Sequence, residues 1–122
     1  MLLPAIGLTF GLRPSQLGLL ITIYAFGAAL AYLPAGIVAD RFQNQGRLLL
    51  LTFWWVGIGY IAASRAPGFL SLALLLAFAG MGDATWHPIA TGVLTRQMPG
   101  RRGQALGVHA IGGTLATVLS PL

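Results

Sequence analysis

The chain has 122 residues, of which 57% are hydrophobic and only 7% are charged, whereas a soluble domain usually carries about 25% charged residues. So few charges exclude an ordinary soluble domain, and the absence of cysteine excludes disulfide bonds and thiolate metal sites. Seven arginines against two aspartates give a net charge of +5, but the arginines are scattered between apolar runs, so no clustered basic surface for nucleic acid forms.

Four apolar stretches predict four transmembrane helices. They cover Leu17–Ala39, Leu48–Ala63, Phe69–Leu94 and Gly103–Leu122. A helix rises about 1.5 Å per residue and the hydrocarbon core is about 30 Å thick, so the first and fourth stretches fit directly. The third is long and must tilt or protrude, and the second is short. Because no period-2 alternation runs through these stretches, the sequence predicts an all-α integral membrane protein embedded in the lipid bilayer.

Arginine positions predict the orientation of the helices. Five fall on one side of the membrane, namely Arg41, Arg47, Arg96, Arg101 and Arg102, and two on the other, namely Arg13 and Arg65. Cytoplasmic loops are enriched in basic residues, so the larger group is predicted to be cytoplasmic. This indicates a multi-pass protein of the cell inner (plasma) membrane. Because Leu2–Phe10 is too short to span, and Leu122 still lies in apolar sequence, we expect further helices beyond this partial domain.

The third predicted span contains ionisable residues. Asp83 and His87 are four apart and share a helix face, with Trp86 beside them. His109 in the fourth span is expected at a similar depth. Ionisable groups at membrane depth are costly and usually mark a cavity or pathway. We therefore predict that these four residues line a proton and substrate pathway. An alternative stays open, in which an Asp83–His87 hydrogen bond only fixes helix packing.

The same residues leave a second alternative, an intramembrane metal-binding or metal-transport protein. Asp83, His87 and His109 could supply three ligands, since carboxylate and imidazole suit zinc, but no fourth ligand is evident. The chain lacks cysteine and has no serine beside a plausible base in sequence. We therefore expect no enzyme, no catalytic residue and no cofactor.

The turn between the first and second spans carries a charged motif. Its residues are Gly36, Asp40, Arg41, Gly46 and Arg47. The motif resembles the loop signature of the major facilitator superfamily, Gly-x-Leu-Ala-Asp-Arg-x-Gly-Arg, with three extra residues before the final pair. The resemblance implies a gating loop, and we expect Asp40 to pair with Arg96 or Arg101 in one access state. An ordinary solvated turn is the alternative.

The fourth span resembles the antiporter motif of the superfamily's fifth helix. The matching positions are Gly107, Ala116, Ser120 and Pro121. Gly107 and Pro121 are in register, whereas Ala116 and Ser120 stand where glycines are expected.

The run from Gly80 to Pro88, with its His-Pro pair, resembles the fosmidomycin-resistance branch of the superfamily. An arginine often found just before this run is replaced by Leu76. The resemblance implies that the spans are the second to fifth helices of a six-helix half. It also implies proton-coupled export of small molecules or drugs by alternating access, with protons, substrate and the remainder of the transporter as partners.

Overall fold

The computed structural model describes residues 3–119 as five helices joined by short turns. They are α1 (Leu3–Phe10), α2 (Pro14–Arg41), α3 (Gln45–Ala63), α4 (Phe69–Gln97) and α5 (Arg102–Leu119). A helix satisfies its backbone hydrogen bonds within its own segment, which apolar surroundings require. Across the described residues, the prediction of an all-α protein is therefore confirmed.

Three of the described helices, α2, α3 and α4, are long and apolar enough to cross a membrane. They contain the first three predicted spans and extend beyond them. The fourth predicted span, Gly103–Leu122, is helical as far as Leu119, but α5 does not reach the same mean hydropathy. Arg102, Gln104 and His109 dilute its apolar residues. Three of the described helices therefore match predicted spans by length and composition, and residues 120–122 of the fourth predicted span lie outside the described part of the chain.

The central helix of the fold is α4, which packs against α2 and α3 and touches α5 over a shorter stretch. Glycines allow the close approach of α2. A Cβ atom on Gly27 would lie 2.6 Å from the backbone oxygen of Ala77, and one on Gly80 would lie 2.7 Å from the backbone oxygen of Tyr24. Because lipid provides no hydrophobic drive for association, such close backbone contact stabilises the helix pair.

The contact between α3 and α4 combines a glycine with aromatic rings. A Cβ atom on Gly82 would lie 2.9 Å from Cγ of Trp55, so the indole lies directly on the α4 backbone. The ring centroids of Trp55 and Phe78 are 5.3 Å apart. Other aromatic residues of α3, such as Trp54, are exposed. The helix therefore has one face toward α4 and one free apolar face.

Two buried apolar clusters lie near the two ends of α4. One includes Leu20 of α2 and Leu72 of α4. The other joins Ala39 of α2, Leu48 of α3 and Ile89 of α4. These clusters set the rotation of α4, which determines the directions in which its polar residues point.

Candidate functional site

Asp83 is joined to α2 by a hydrogen bond from Tyr24. The Tyr24 hydroxyl donates to Oδ2 of Asp83 at 2.9 Å, and the Asp83 side chain is exposed on the surface of the described residues. Gly80 makes the approach possible, because a Cβ atom there would lie 3.0 Å from the Tyr24 ring. Tyr60 of α3 also interacts with the Tyr24 side chain. Side chains from three helices therefore meet beside this carboxylate.

The hydrogen bond between Asp83 and His87, which the sequence left open as a purely structural alternative, is not formed. Within residues 3–119, the Asp83 carboxylate is bonded by Tyr24 and makes no salt bridge to any arginine or histidine. Sequence reasoning missed Tyr24 as a site residue. The available signal was its depth in the first span, where a phenol hydroxyl needs a polar partner.

A cavity of about 920 Å³ lies between α4 and α5. Three of the predicted pathway residues, Trp86, His87 and His109, line it. The Trp86 ring centroid is 5.2 Å from that of His87 and 5.2 Å from that of His109. Asp83 is not part of this lining, although it lies only one turn before His87 on α4. The structure thus brings three of the four predicted residues together and directs the fourth toward α2.

The cavity wall on α5 is formed largely by small residues. Gly112 is one of them, and a Cβ atom there would meet nothing within 4 Å. The two threonines of the lining use their hydroxyl hydrogens within their own helices. Thr91 donates to the carbonyl of His87 at 2.9 Å, and Thr114 donates to that of Ala110 at 3.0 Å. Among the side chains that line this cavity, the ring nitrogens of Trp86, His87 and His109 are therefore the polar groups available to a ligand.

At the other end of the bundle, Asp40 forms an ion pair with Arg96. The distance from Oδ1 of Asp40 to a guanidinium nitrogen of Arg96 is 3.4 Å, and both side chains are exposed. Arg96 is one of the two partners expected for Asp40. A smaller cavity of about 390 Å³, lined in part by Gly36, lies beside the pair. The pair therefore joins the end of α2 to the end of α4.

The remaining residues of the charged turn are Arg41, Gly46 and Arg47. Arg41 and Arg47 are exposed, and within the described residues neither forms a salt bridge. The backbone N–H of Arg47 donates to the Asn44 side chain at 3.1 Å, which caps α3. Gly46 lies beside this cap. Gly46 and Arg47 therefore lie in the first turn of α3, whereas Asp40, the ion-pairing residue of the motif, lies at the end of α2.

The antiporter-like motif of α5 is only partly described. Gly107 and Ala116 are exposed, and a Cβ atom on Gly107 would meet nothing within 4 Å. Ser120 and Pro121 lie outside the described residues.

The metal-binding alternative has no support in the structure. Within residues 3–119, no three histidine, cysteine or acidic side chains come together. Asp83 points to Tyr24, whereas His87 and His109 border the cavity.

A comparison with models of protein families gives a match over the whole chain. The family model of the Major Facilitator Superfamily matches residues 1–122. The chain belongs to the major facilitator superfamily. It is accordingly a multi-pass membrane protein of a transport family, and it is not an enzyme.

Curated transporters of the superfamily resemble the chain over nearly all of its length. A probable 4-methylmuconolactone transporter of Cupriavidus pinatubonensis is 29% identical, over 99% of this chain and 29% of the relative. A probable sugar efflux transporter of Helicobacter acinonychis is 30% identical, over 97% of this chain and 30% of the relative. A probable sulfoacetate transporter of Cupriavidus necator is 31% identical, over 97% and 27% respectively.

The chain therefore spans less than a third of the length of these superfamily relatives. No solved structure matches it. The comparisons confirm the superfamily and do not confirm the fosmidomycin-resistance branch.

Proposed function

We propose that this chain is part of the N-terminal half of a proton-coupled transporter that exports small molecules across the cell inner (plasma) membrane. The remainder of the transporter supplies the other helices, and the two halves rock about a site near the midplane. The name of the Helicobacter relative, a probable sugar efflux transporter, supports export.

The observation that carries this proposal is the environment of Asp83. Among the described residues, its carboxylate has a neutral phenol as its hydrogen-bond partner and no cation paired with it. An unpaired carboxylate is costly to keep charged where water is excluded. In the proposed cycle, Asp83 is therefore the proton carrier, which takes up a proton in the state closed to water and releases it in the state open to water. His87, one turn away, connects this event to the α4–α5 cavity.

The run from Gly80 to Pro88 supports a fosmidomycin-resistance-like branch, with drugs among the exported molecules. Leu76 stands where that branch often has an arginine, and it is buried with Leu72 and Ala73 in an apolar cluster. Position 76 therefore supplies no cation for proton coupling in this chain, and we assign the coupling role to Asp83.

The Asp40–Arg96 pair is the cytoplasmic gate of the proposed cycle. It ties α2 to α4 at an exposed position where water can compete for both charges. Exposed pairs contribute only about 0–1 kcal/mol. Such a pair is strong enough to shift the populations of two access states and weak enough to open in each cycle.

The test is Asp83→Asn in the full-length transporter, reconstituted in vesicles with an imposed pH gradient. The substrate is one that the unsubstituted protein exports uphill. We expect Asp83→Asn to abolish uphill export while retaining substrate exchange without a gradient, because the carrier still alternates. Asp40→Asn, which removes the other aspartate, serves as a comparison, and we expect slower export that still depends on the gradient. Full gradient-driven export by Asp83→Asn would rule out Asp83 as the proton carrier.

A further inference from the structure

The side chains with free polar groups in the α4–α5 cavity are hydrogen-bond donors. Trp86, His87 and His109 line the cavity, and within the described residues none of their ring nitrogens has a hydrogen-bond partner. An indole N–H only donates, and an imidazole keeps at least one N–H donor whether it is neutral or charged. The hydroxyl hydrogens of Thr91 and Thr114 are already used within their own helices.

The described lining of the cavity contains no acidic side chain. The two carboxylates of the chain are used elsewhere, since Asp83 accepts from Tyr24 and Asp40 pairs with Arg96. A cationic ligand would therefore find no opposite charge on this wall. An anion would find N–H donors, and hydrogen bonds to a charged partner are roughly twice as strong as neutral ones.

The rings also lie next to one another. The Trp86 ring centroid lies 5.2 Å from each imidazole centroid, and the indole plane is inclined by 75° to the His87 ring and by 34° to the His109 ring, so the three rings form an angled aromatic corner. Opposite them, the absent side chain of Gly112 leaves room beside α5. The cavity, at about 920 Å³, is within the size range of small-molecule sites.

We infer that this cavity binds a small organic anion, with its carboxylate or sulfonate group on the imidazole N–H donors of His87 and His109 and its apolar body against Trp86. The inference rests on the proposed transport function and names the substrate class of that same site. It assigns His109 as a residue that recognises charge and Trp86 as one that recognises the body of the ligand.

The test uses three probes that share one ring and differ in charge: benzoate, benzylammonium and benzyl alcohol. Purified full-length transporter is bound to radiolabelled benzoate in a scintillation proximity assay, and the other two compete. We expect benzylammonium and benzyl alcohol to compete at least about ten-fold more weakly than unlabelled benzoate, because neither offers an anionic acceptor to the histidine N–H donors.

Substitutions then separate the donor from the ring. His109→Phe keeps a ring and removes the N–H, so benzoate affinity should fall about ten-fold, whereas His109→Asn keeps an N–H donor and should lose less. Trp86→Phe should weaken benzoate binding. Trp54→Phe, on the exposed face of α3, is its matched control and should leave benzoate binding unchanged. If His109→Phe does not elute as a folded protein, His87→Phe tests the same chemistry from α4.

Equal binding of the three probes would overturn the inference, and so would benzoate affinity that survives removal of the imidazole N–H from folded protein. Failure of the proposed function has a different signature. Gradient-driven export of a neutral molecule without benzoate preference contradicts the anion site alone. Selective benzoate binding without any gradient-driven movement contradicts proton-coupled transport alone.

Discussion

The Tyr24 hydroxyl reaches from α2 to donate a 2.9 Å hydrogen bond to the Asp83 carboxylate on α4. An ionised carboxylate accepts such a bond more strongly than a protonated one. Proton binding at Asp83 should therefore weaken the tie between two helices that otherwise pack through small residues. In the proposed transporter, this bond links proton occupancy to helix packing.

Tyr24→Phe removes the hydroxyl and keeps the ring that packs on Gly80. We expect normal membrane insertion and roughly ten-fold slower uphill transport, because a hydrogen bond to a charged group contributes about 1.5 kcal/mol. The measurement is gradient-driven transport by the full-length protein at several pH values. Tyr32→Phe is the control, since Tyr32 is 49% exposed and its hydroxyl has no partner among the described residues. A pH profile identical to the unsubstituted protein would show that the bond is only structural.

Gly27→Ala should destabilise the α2–α4 contact. The added Cβ would lie 2.6 Å from the backbone oxygen of Ala77, and a backbone atom cannot move aside without shifting its helix. Overpacking of this kind costs about 1–3 kcal/mol. Gly57→Ala is the matched control on α3, where a Cβ would meet nothing within 4 Å. Thermal unfolding of the full-length variants in detergent should show a lower midpoint temperature for Gly27→Ala than for the unsubstituted protein, and no change for Gly57→Ala. Equal midpoint temperatures for all three proteins would contradict the close packing.

Asp40→Asn should reduce transport with little change in stability. The Asp40 side chain is 81% exposed, and exposed ion pairs contribute about 0–1 kcal/mol. Unfolding midpoint and transport rate are measured on the same preparation. Exchanging the charges, with Asp40→Arg and Arg96→Asp together, should restore part of the lost transport if the pair itself matters. Unchanged transport in Asp40→Asn would count against the gate.

The arginine distribution predicts the topology. A reporter fused after Arg47 or Arg101 should be cytoplasmic, and one fused near Arg13 or Pro67 should be external, because basic residues favour the cytoplasmic side. Paired alkaline phosphatase and fluorescent protein fusions at each position provide opposite signals. A cytoplasmic signal at Pro67 would reverse the assigned orientation.

The sequence predicted the positions of the long helices because apolar runs of this length have few other stable forms in lipid. It also named Arg96 and Arg101 as the two possible partners of Asp40, and the structure forms the pair with Arg96. It could not identify Tyr24 as the partner of Asp83, since that contact depends on the rotation and close approach of α2 and α4. For α5, Gln104 and His109 lower the mean hydropathy of the described helix, and the end of the predicted span lies outside the described residues.

Alanine and glycine form much of the buried surface of α4, including Ala73, Ala79, Gly80, Ala84 and Ala90. On α2, Ala31 and Ala35 are also buried. With so little side-chain volume between them, α2 and α4 meet through their backbones. A shift of either helix would therefore pass directly to the other, because no flexible side chain lies between them to absorb it.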